Sequence, residues 1–418
     1  MVNFLILIKQ GYNFIWITKI KNRVLRGIKL EGVDHMISLC MIVRNEEEYI
    51  RKCLDSVKDF VDEIIIVDTG SSDNTQNICK EFGAKIYDYV FMDDFSDARN
   101  YSLSLATGSW ILVLDADESI DSRDGGKLKN LITEMEVQGK KGCAFTRYDY
   151  FNNGGWSEAN IVRFFKNDRQ IKYIGEVYEQ VNIKNEETYY NKKNAIKIHH
   201  FGYLKDKQFI KKKRGKYHEI TVNGSKFEPT RKHKMFYWLA QNYLVNGEMQ
   251  EAINICNKGL EENNKSKRLF ELKARILMFL GEYKKSREVL DEVFTLEARS
   301  NSKLKKGYSL FYDRAVNDLA QTYYFEGEYD RALESYSLMD FKETPYLLSN
   351  YALILYKLKR YEEALFYFNK ALDINPYIGV IKYNHEDYLM YLSHTFFDFK
   401  GVAVYEELIN KELSIFGK

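Results

Sequence analysis

Three short apolar runs, at Ile37–Val43, 63–67 and 110–114, each stop at a polar or acidic cluster, and amphipathic stretches separate them. Tyr49, Ile50, Cys53, Leu54 and Val57 recur at helical spacing after the first run. Residues 74–82 and 97–106 predict two further helices, and 84–87 another strand. Strands joined by crossovers of this length are βαβ units rather than hairpins, so the chain is expected to build an α/β, Rossmann-like, mostly parallel sheet. Ligands of such sheets bind beyond the carboxyl ends of the strands, where each of these polar clusters falls.

Residues 140–205, rich in β-type and turn-type residues such as Tyr148, Tyr150, Phe151 and the 152–155 turn, read as the second half of this domain. A basic stretch at 206–229 reads as a linker helix, and the remainder repeats. Small residues at Ala252, Ser286, Ala332 and Ala364 are each preceded, twelve positions earlier, by Ala240, Ala274, Ala320 and Ala352. Small residues in step are needed where paired helices cross closely, and a period near ~34 points to a solenoid of helical hairpins over 230–418. The wider gap between Ser286 and Ala332 predicts an insertion around 297–306, and 385–416 would cap the array.

With 45% hydrophobic and 29% charged residues the chain is expected to be mostly globular, and 3 prolines beside 32 tyrosines and 26 phenylalanines suit long helices and aromatic packing. A net charge of +2 gives no reason to expect nucleic acid. Five scattered cysteines, with no CxxC pair, argue against a disulfide scaffold and for a reducing, cytoplasmic location. Residues 1–35 form a separate basic segment, with Lys19, Arg23 and Arg26 on one helical face and Ile17, Ile20, Val24 and Ile28 on another. The preferred reading is a helix packed on the neighbouring domain. The alternative is peripheral contact of residues 1–30 with an anionic membrane surface.

The sharpest chemical signal is Asp115-Ala-Asp-Glu118 at the end of an apolar strand. Two carboxylates held one residue apart beside a core call for positive charge between them, and a divalent cation with hard oxygen ligands supplies it. Asp68 ends the second strand, where a carboxylate can accept hydrogen bonds from a nucleobase or ribose, while Asp73 also reads as a helix cap. Arg99 could present its fork of donors to a base or a diphosphate, with a salt bridge as the plainer alternative.

These segments resemble the inverting family-two glycosyltransferases of the GT-A fold: Met41-Ile-Val-Arg-Asn-Glu-Glu47, Val67-Asp-Thr-Gly-Ser-Ser-Asp-Asn-Thr75, Asp94-Phe-Ser-Asp-Ala-Arg-Asn100 and Leu114-Asp-Ala-Asp-Glu118. The chain is most similar to members fused to tetratricopeptide repeats, among them the sublancin-type S-glycosyltransferases that sugar a cysteine of glycocin bacteriocins. The resemblance covers roughly 36–376 and implies a GT-A domain over 36–205 followed by the repeats.

It implies donor contacts by Val43, Arg44, Asn45, Glu46, Asp68, Asp73, Arg99, Asp115, Ala116 and Arg163. Mg²⁺ or Mn²⁺ would be held by Asp117 with Asp115 and His200. Gly175-Glu-Val-Tyr-Glu179 resembles the family's Gly-x-Val-His-Glu, which makes Glu179 the candidate general base and puts Tyr178 where the family has His. His200-Phe-Gly-Tyr203 resembles His-x-Gly-Tyr, and the adjacent His199 leaves the assignment open between the two. Trp156, Tyr178 and Tyr203 are candidates for the sugar or acceptor site, with a core position the alternative for Trp156. The partners implied are a UDP-sugar, UDP-glucose first, and a peptide or protein acceptor, with a homodimer kept as an option. The competing readings are a glycan or lipid acceptor, nucleotidyl transfer, and a repeat-based adaptor with an inactive first domain.

Overall fold

The computed structural model describes residues 35–150, 156–189, 196–205, 207–223, 232–245, 247–300, 310–339, 344–379 and 407–411. Residues 1–34 of the basic segment expected over 1–35, the 152–155 turn, residues 301–309 of the insertion and almost all of the cap expected over 385–416 lie outside them.

The first domain alternates strand and helix: β1 (Ile37–Val43), α1 (Ile50–Asp55), β2 (Glu63–Asp68), α2 (Thr75–Glu81), β3 (Lys85–Asp88), α3 (Phe95–Ser104) and β4 (Trp110–Val113). There follow β5 (Glu118–Ile120), α4 (Leu128–Val137), β6 (Gly142–Tyr150), β7 (Trp156–Lys166), β8 (Tyr173–Ile174), β9 (Gln180–Val181), β10 (Thr188–Tyr189) and β11 (Lys197–His200). The main sheet runs β3-β2-β1-β4-β7-β6-β11-β5. Strands β1 to β4 are mutually parallel, and β7 enters antiparallel to both β4 and β6.

β1 is buried on both faces, as a central parallel strand should be. Its residues Ile37, Leu39, Met41 and Val43 pack with α1, α2 and α4, whereas Cys40 faces the layer containing Leu103 of α3. The chain leaves β1 for β2 on one side and later returns to β4 on the other, so a crevice opens at the carboxyl ends of β1 and β4. Helix α3 begins where the Asp94 carboxylate accepts the Asp97 N–H at 3.0 Å, a side-chain cap that fixes where Arg99 emerges.

The second region is helical: α5 (Lys207–Asn223), α6 (Lys232–Val245), α7 (Met249–Glu262), α8 (Lys267–Phe279), α9 (Tyr283–Ser300), α10 (Leu310–Phe325), α11 (Tyr329–Ser335), α12 (Pro345–Lys357) and α13 (Tyr361–Ile374). Every small residue singled out by the repeat is buried, with the seven alanines fully so and Ser286 only 1% exposed. Ser286 marks a helix crossing directly, since its hydroxyl donates to the Ala274 carbonyl at 2.7 Å across α8 and α9.

The turns inside the hairpins repeat as faithfully. Gly247, Gly281 and Gly327 lie in the left-handed region at φ +80°, +76° and +80°, and Lys359 takes the same place at φ +59°. In each turn the next residue's N–H bonds back to a carbonyl five residues earlier, from Glu248 to Tyr243, Glu282 to Leu277, Glu328 to Tyr323 and Arg360 to Leu355. This is the Schellman ending, which glycine adopts without steric penalty.

The far end of the array packs on the first domain. Tyr148, Tyr150, Trp156 and Phe201 share one core with Val316, Ala320, Tyr346, Leu347 and Phe368. Tyr150 Oη donates to Asn375 Oδ1 at 3.1 Å, and Arg314 Nη2 to the Glu158 carbonyl at 3.2 Å. Trp156, a candidate wall for a sugar, is 0% exposed in this core. Of the two readings left open, this is the core position, with residues of the array packed in the same cluster. Among the described residues no helix is long and apolar enough to cross a membrane.

Candidate active site

The carboxyl ends of β1 and β2 are latched by their loops. Asn45, held at φ +55°, receives the Ser72 N–H on Oδ1 at 2.8 Å and donates its own N–H to Ser71 Oγ at 3.0 Å. Glu46 donates its N–H to Thr75 Oγ1 at 2.8 Å, and Glu47 donates to Asp73 Oδ2 at 3.1 Å. Asp73 also receives the Thr75 N–H on Oδ1 at 3.0 Å, so it ties the loops and opens α2 together. Val43 is buried at the strand end, and Arg44 is exposed beside it.

Asp68 is fully buried. Its Oδ1 takes the Gly70 and Ser71 N–H groups at 2.8 and 2.7 Å, while Oδ2 has no partner among the described residues. A buried acceptor left over at a strand end is costly, and a ligand donor such as a base N–H or ribose hydroxyl would satisfy it.

Beyond β4 the acidic motif divides into two halves. Asp115 is gripped by two arginines, Arg99 Nη2 on Oδ1 and Arg163 Nη2 on Oδ2, both at 2.6 Å. Burial opposes its charge, yet Arg163 and Arg99 hold its carboxyl well below the usual range. Arg163 reaches on to Glu118 Oε1 at 2.7 Å, and Arg99 Nε donates to Glu179 Oε1 at 2.7 Å. Glu179 is thereby placed one guanidinium away from the acidic turn. Arg99 Nη1 and Arg163 Nε have no acceptor among the described residues.

Asp117 lies in the other half, with Oδ1 3.5 Å from His200 Nε2 and Oδ2 3.3 Å from Lys205 Nζ. The two carboxylates expected to share a cation thus have different neighbours, arginines at Asp115 and His200 with Lys205 at Asp117. His200 Nδ1 meets Asp149 Oδ1 at 2.6 Å, a contact that turns Nε2 toward Asp117. Burial works against a charged imidazole here, but Asp117 and Asp149 outweigh it and raise His200 to about 10. Lys205 also donates to both Glu46 oxygens, at 2.8 and 2.6 Å. Ala116 is buried between the two halves, and Tyr203 lies edge-on to the His200 ring at 5.0 Å.

Register separates the two histidines. His200 pairs with Asp149 across β11 and β6, and His199 points the other way. His199 is fixed by Tyr150 Oη at 2.6 Å and Asp121 Oδ2 at 3.1 Å, between the rings of Tyr148 and Tyr150. Asp149 and Lys205 escaped the sequence reading, because each meets the site only through tertiary pairing.

A metal fits Asp117 and His200 on two observations. The imidazole is buttressed by a carboxylate on its far nitrogen, and residue 202 is glycine where any Cβ would collide with Asp117 Oδ2 and His200 Nε2. Among the described residues no group of three or more His, Cys, Asp or Glu side chains could hold an ion, so further ligands would come from donor phosphates and water.

The family model for glycosyl transferase family 2 matches residues 38–205. The first domain is a family 2 glycosyltransferase domain. A tetratricopeptide-repeat model matches 345–378, and a model of anaphase-promoting complex, cyclosome, subunit 3 matches 226–293. The transferase with its repeats is similar to the SPbeta prophage-derived glycosyltransferase SunS of Bacillus subtilis, 29% identical over 55% of this chain and 54% of that one. That similarity agrees with the sublancin-type resemblance drawn from the motifs. A TPR repeat-containing protein of Synechococcus elongatus is 42% identical over 35% of each chain. The chain therefore spans about half or less of these relatives' lengths. The solved structure of Staphylococcus aureus TarS covers 66% of this chain and 56% of that one, at 14% identity and a TM-score of 0.33, a likeness too low to carry an argument.

Proposed function

We propose that this protein transfers a sugar from a nucleoside diphosphate sugar, UDP-glucose first, to a peptide or protein acceptor with inversion at the anomeric carbon. The observation that carries the reading is the Glu179–Arg99–Asp115 chain beside Asp117 and His200, a carboxylate, fixed positive charge and a second acidic pole close together.

Asp68 would receive a donor from the uracil or ribose, and the latched loops at Asn45 and Asp73 would fix the floor beneath it. Arg99 and Arg163, each with an N–H to spare, would face the negative charge of the diphosphate. Asp117 and His200 would hold Mg²⁺ or Mn²⁺, which when bound neutralises charge on the departing diphosphate. Glu179 takes the proton of the acceptor thiol or hydroxyl as that atom bonds to the anomeric carbon and the bond to the diphosphate oxygen breaks, releasing UDP. A cysteine acceptor makes modest demands on this base, because a thiol titrates near pH ~8.5. The sublancin-type resemblance of the motifs favours a cysteine-bearing peptide, and a stacked helical array offers a surface suited to it. Five buried cysteines, none in a disulfide, support a reducing cytoplasm.

The test is UDP release from UDP-glucose with Mn²⁺, comparing the unmodified chain with Asp117→Asn and with chelator, alongside intact masses of cysteine-containing peptides. Release should disappear in both comparisons, and one hexose should appear on the peptide. Silence across a panel of nucleotide sugars would overturn the reading. A labelled glycan or lipid with no labelled peptide would replace the acceptor.

A further inference from the structure

Tyr178, where the family motif has His, sits in the left-handed region at φ +53°. A bulky residue holds that conformation only where its surroundings over-determine it. Here they do so from two sides. On the domain side, Gly175 and Glu176 are pinned to the start of α3, with Ser96 Oγ donating to the Gly175 carbonyl at 2.6 Å and Phe95 N–H to the Glu176 carbonyl at 2.8 Å. On the array side, the Tyr178 ring stacks on Trp238 of α6 at 4.2 Å and 5°, and its hydroxyl donates to Asn242 Oδ1 at 3.0 Å.

Trp238 and Asn242 are four residues apart and share one face of α6. Asn242 is 2% exposed, and its Nδ2 has no partner among the described residues. Tyr217 of α5 closes the cluster edge-on to Tyr178 at 5.6 Å and to Phe95 at 5.4 Å. The residue held this firmly immediately precedes Glu179, whose carboxylate meets Arg99 on the same α3.

We propose that Tyr178 is a positioning residue for the base, and that α6 of the repeat array holds it through Trp238 and Asn242. The first helix of the array thereby belongs to the catalytic machinery, and transfer depends on that helix being docked. The inference rests on the reading of Glu179 as base. It separates two duties for the array, setting the base and binding the acceptor, that a peptide-binding solenoid alone would not combine.

The experiment uses the full chain, UDP-glucose with Mn²⁺, and two acceptors, water alone and a cysteine-containing peptide. Trp238→Ala and Tyr178→Ala are compared with Trp238→Phe, with Glu179→Gln setting the floor. UDP affinity is read by calorimetry and folding by melting temperature. Trp238→Ala should lower kcat for hydrolysis and for peptide transfer alike, on the order of 10- to 100-fold as expected for a misplaced base, with UDP affinity unchanged and most activity regained in Trp238→Phe. An unchanged kcat for hydrolysis with a raised KM for the peptide alone would overturn the proposal and make this face an acceptor surface. A lower melting temperature with full kcat in the folded fraction would overturn it as well. Absence of UDP release by the unmodified chain would sink the proposal together with the reading beneath it.

Discussion

Two buried ion clusters, one in each region, look alike in composition and differ in what they leave unsatisfied. In the transferase domain, Arg99 and Arg163 hold Asp115, Glu118 and Glu179 and still keep N–H groups without acceptors among the described residues. In the array, Arg275 of α8 meets Glu271 at 3.0 Å and Asp318 of α10 at 2.8 Å, and there an acceptor, Asp318 Oδ1, is without a partner among the described residues. Burial raises Asp318 to about 7 against the pull of Arg275. The first cluster has donors to offer an anion. The second leaves a carboxylate oxygen unmatched, which a proton relieves. The same residue types thus make a site in one place and a joint between helices in the other, and the unmatched atom tells them apart.

Cutting one arginine from each cluster is the strongest way to break this comparison. Arg275→Met and Arg99→Met should each lower unfolding free energy by about 3–5 kcal/mol, because a buried carboxylate loses its partner. Denaturant titration measures the cost. Only Arg99→Met should also abolish UDP release per folded molecule. Loss of release in Arg275→Met would erase the distinction between site and joint.

A pH series sharpens the comparison at the junction. Glu158 of β7 has its Oε1 buried without a partner among the described residues where α12 covers it, and burial raises its pKa to about 8 against the Tyr346 N–H and Arg314. A carboxyl raised in the folded state keeps its proton there while the unfolded chain has lost it. Stability is therefore fullest below the ordinary glutamate range and falls as pH rises toward 8. Melting temperature should drop between pH 5 and roughly 8, and Glu158→Gln should flatten the curve. An unchanged slope in that variant would remove Glu158 from the account.

The smallest effect tests the repeat itself. Lys359 occupies the left-handed turn position that glycine fills in the other three hairpins. Lys359→Gly should raise stability by about 0.5–1 kcal/mol, read by thermal denaturation. A loss of stability would mean that this turn is not equivalent to the others.

What could be read from the sequence was what local chemistry dictates. The buried strands, the acidic turn at 115–118 and the paired small residues from Ala240 to Ala364 each depend on neighbours within one element or one repeat. The turn glycines carry the same spacing as the alanines, but Lys359 interrupts the series and hid it. The unread part is tertiary. Asp149 supports His200 from 51 residues away, and Asn242 holds Tyr178 from 64 residues away. Nothing near either residue announces its partner. Trp156 stays open between a sugar site and a core position for the same reason, since strand alternation gives its face but not that the array covers it.

The array meets the transferase domain twice, at Tyr178 through α6 and at Tyr150 and Trp156 through its last hairpins. A solenoid anchored at one end can gain or lose a repeat and only change its reach. Pinned at both, it behaves like a bridge whose span is set by its abutments. Adding one hairpin would force the ends out of register with their seats, so the number of repeats becomes a dimension of the enzyme. Variation in such a chain is steered into the faces of the helices and away from their count.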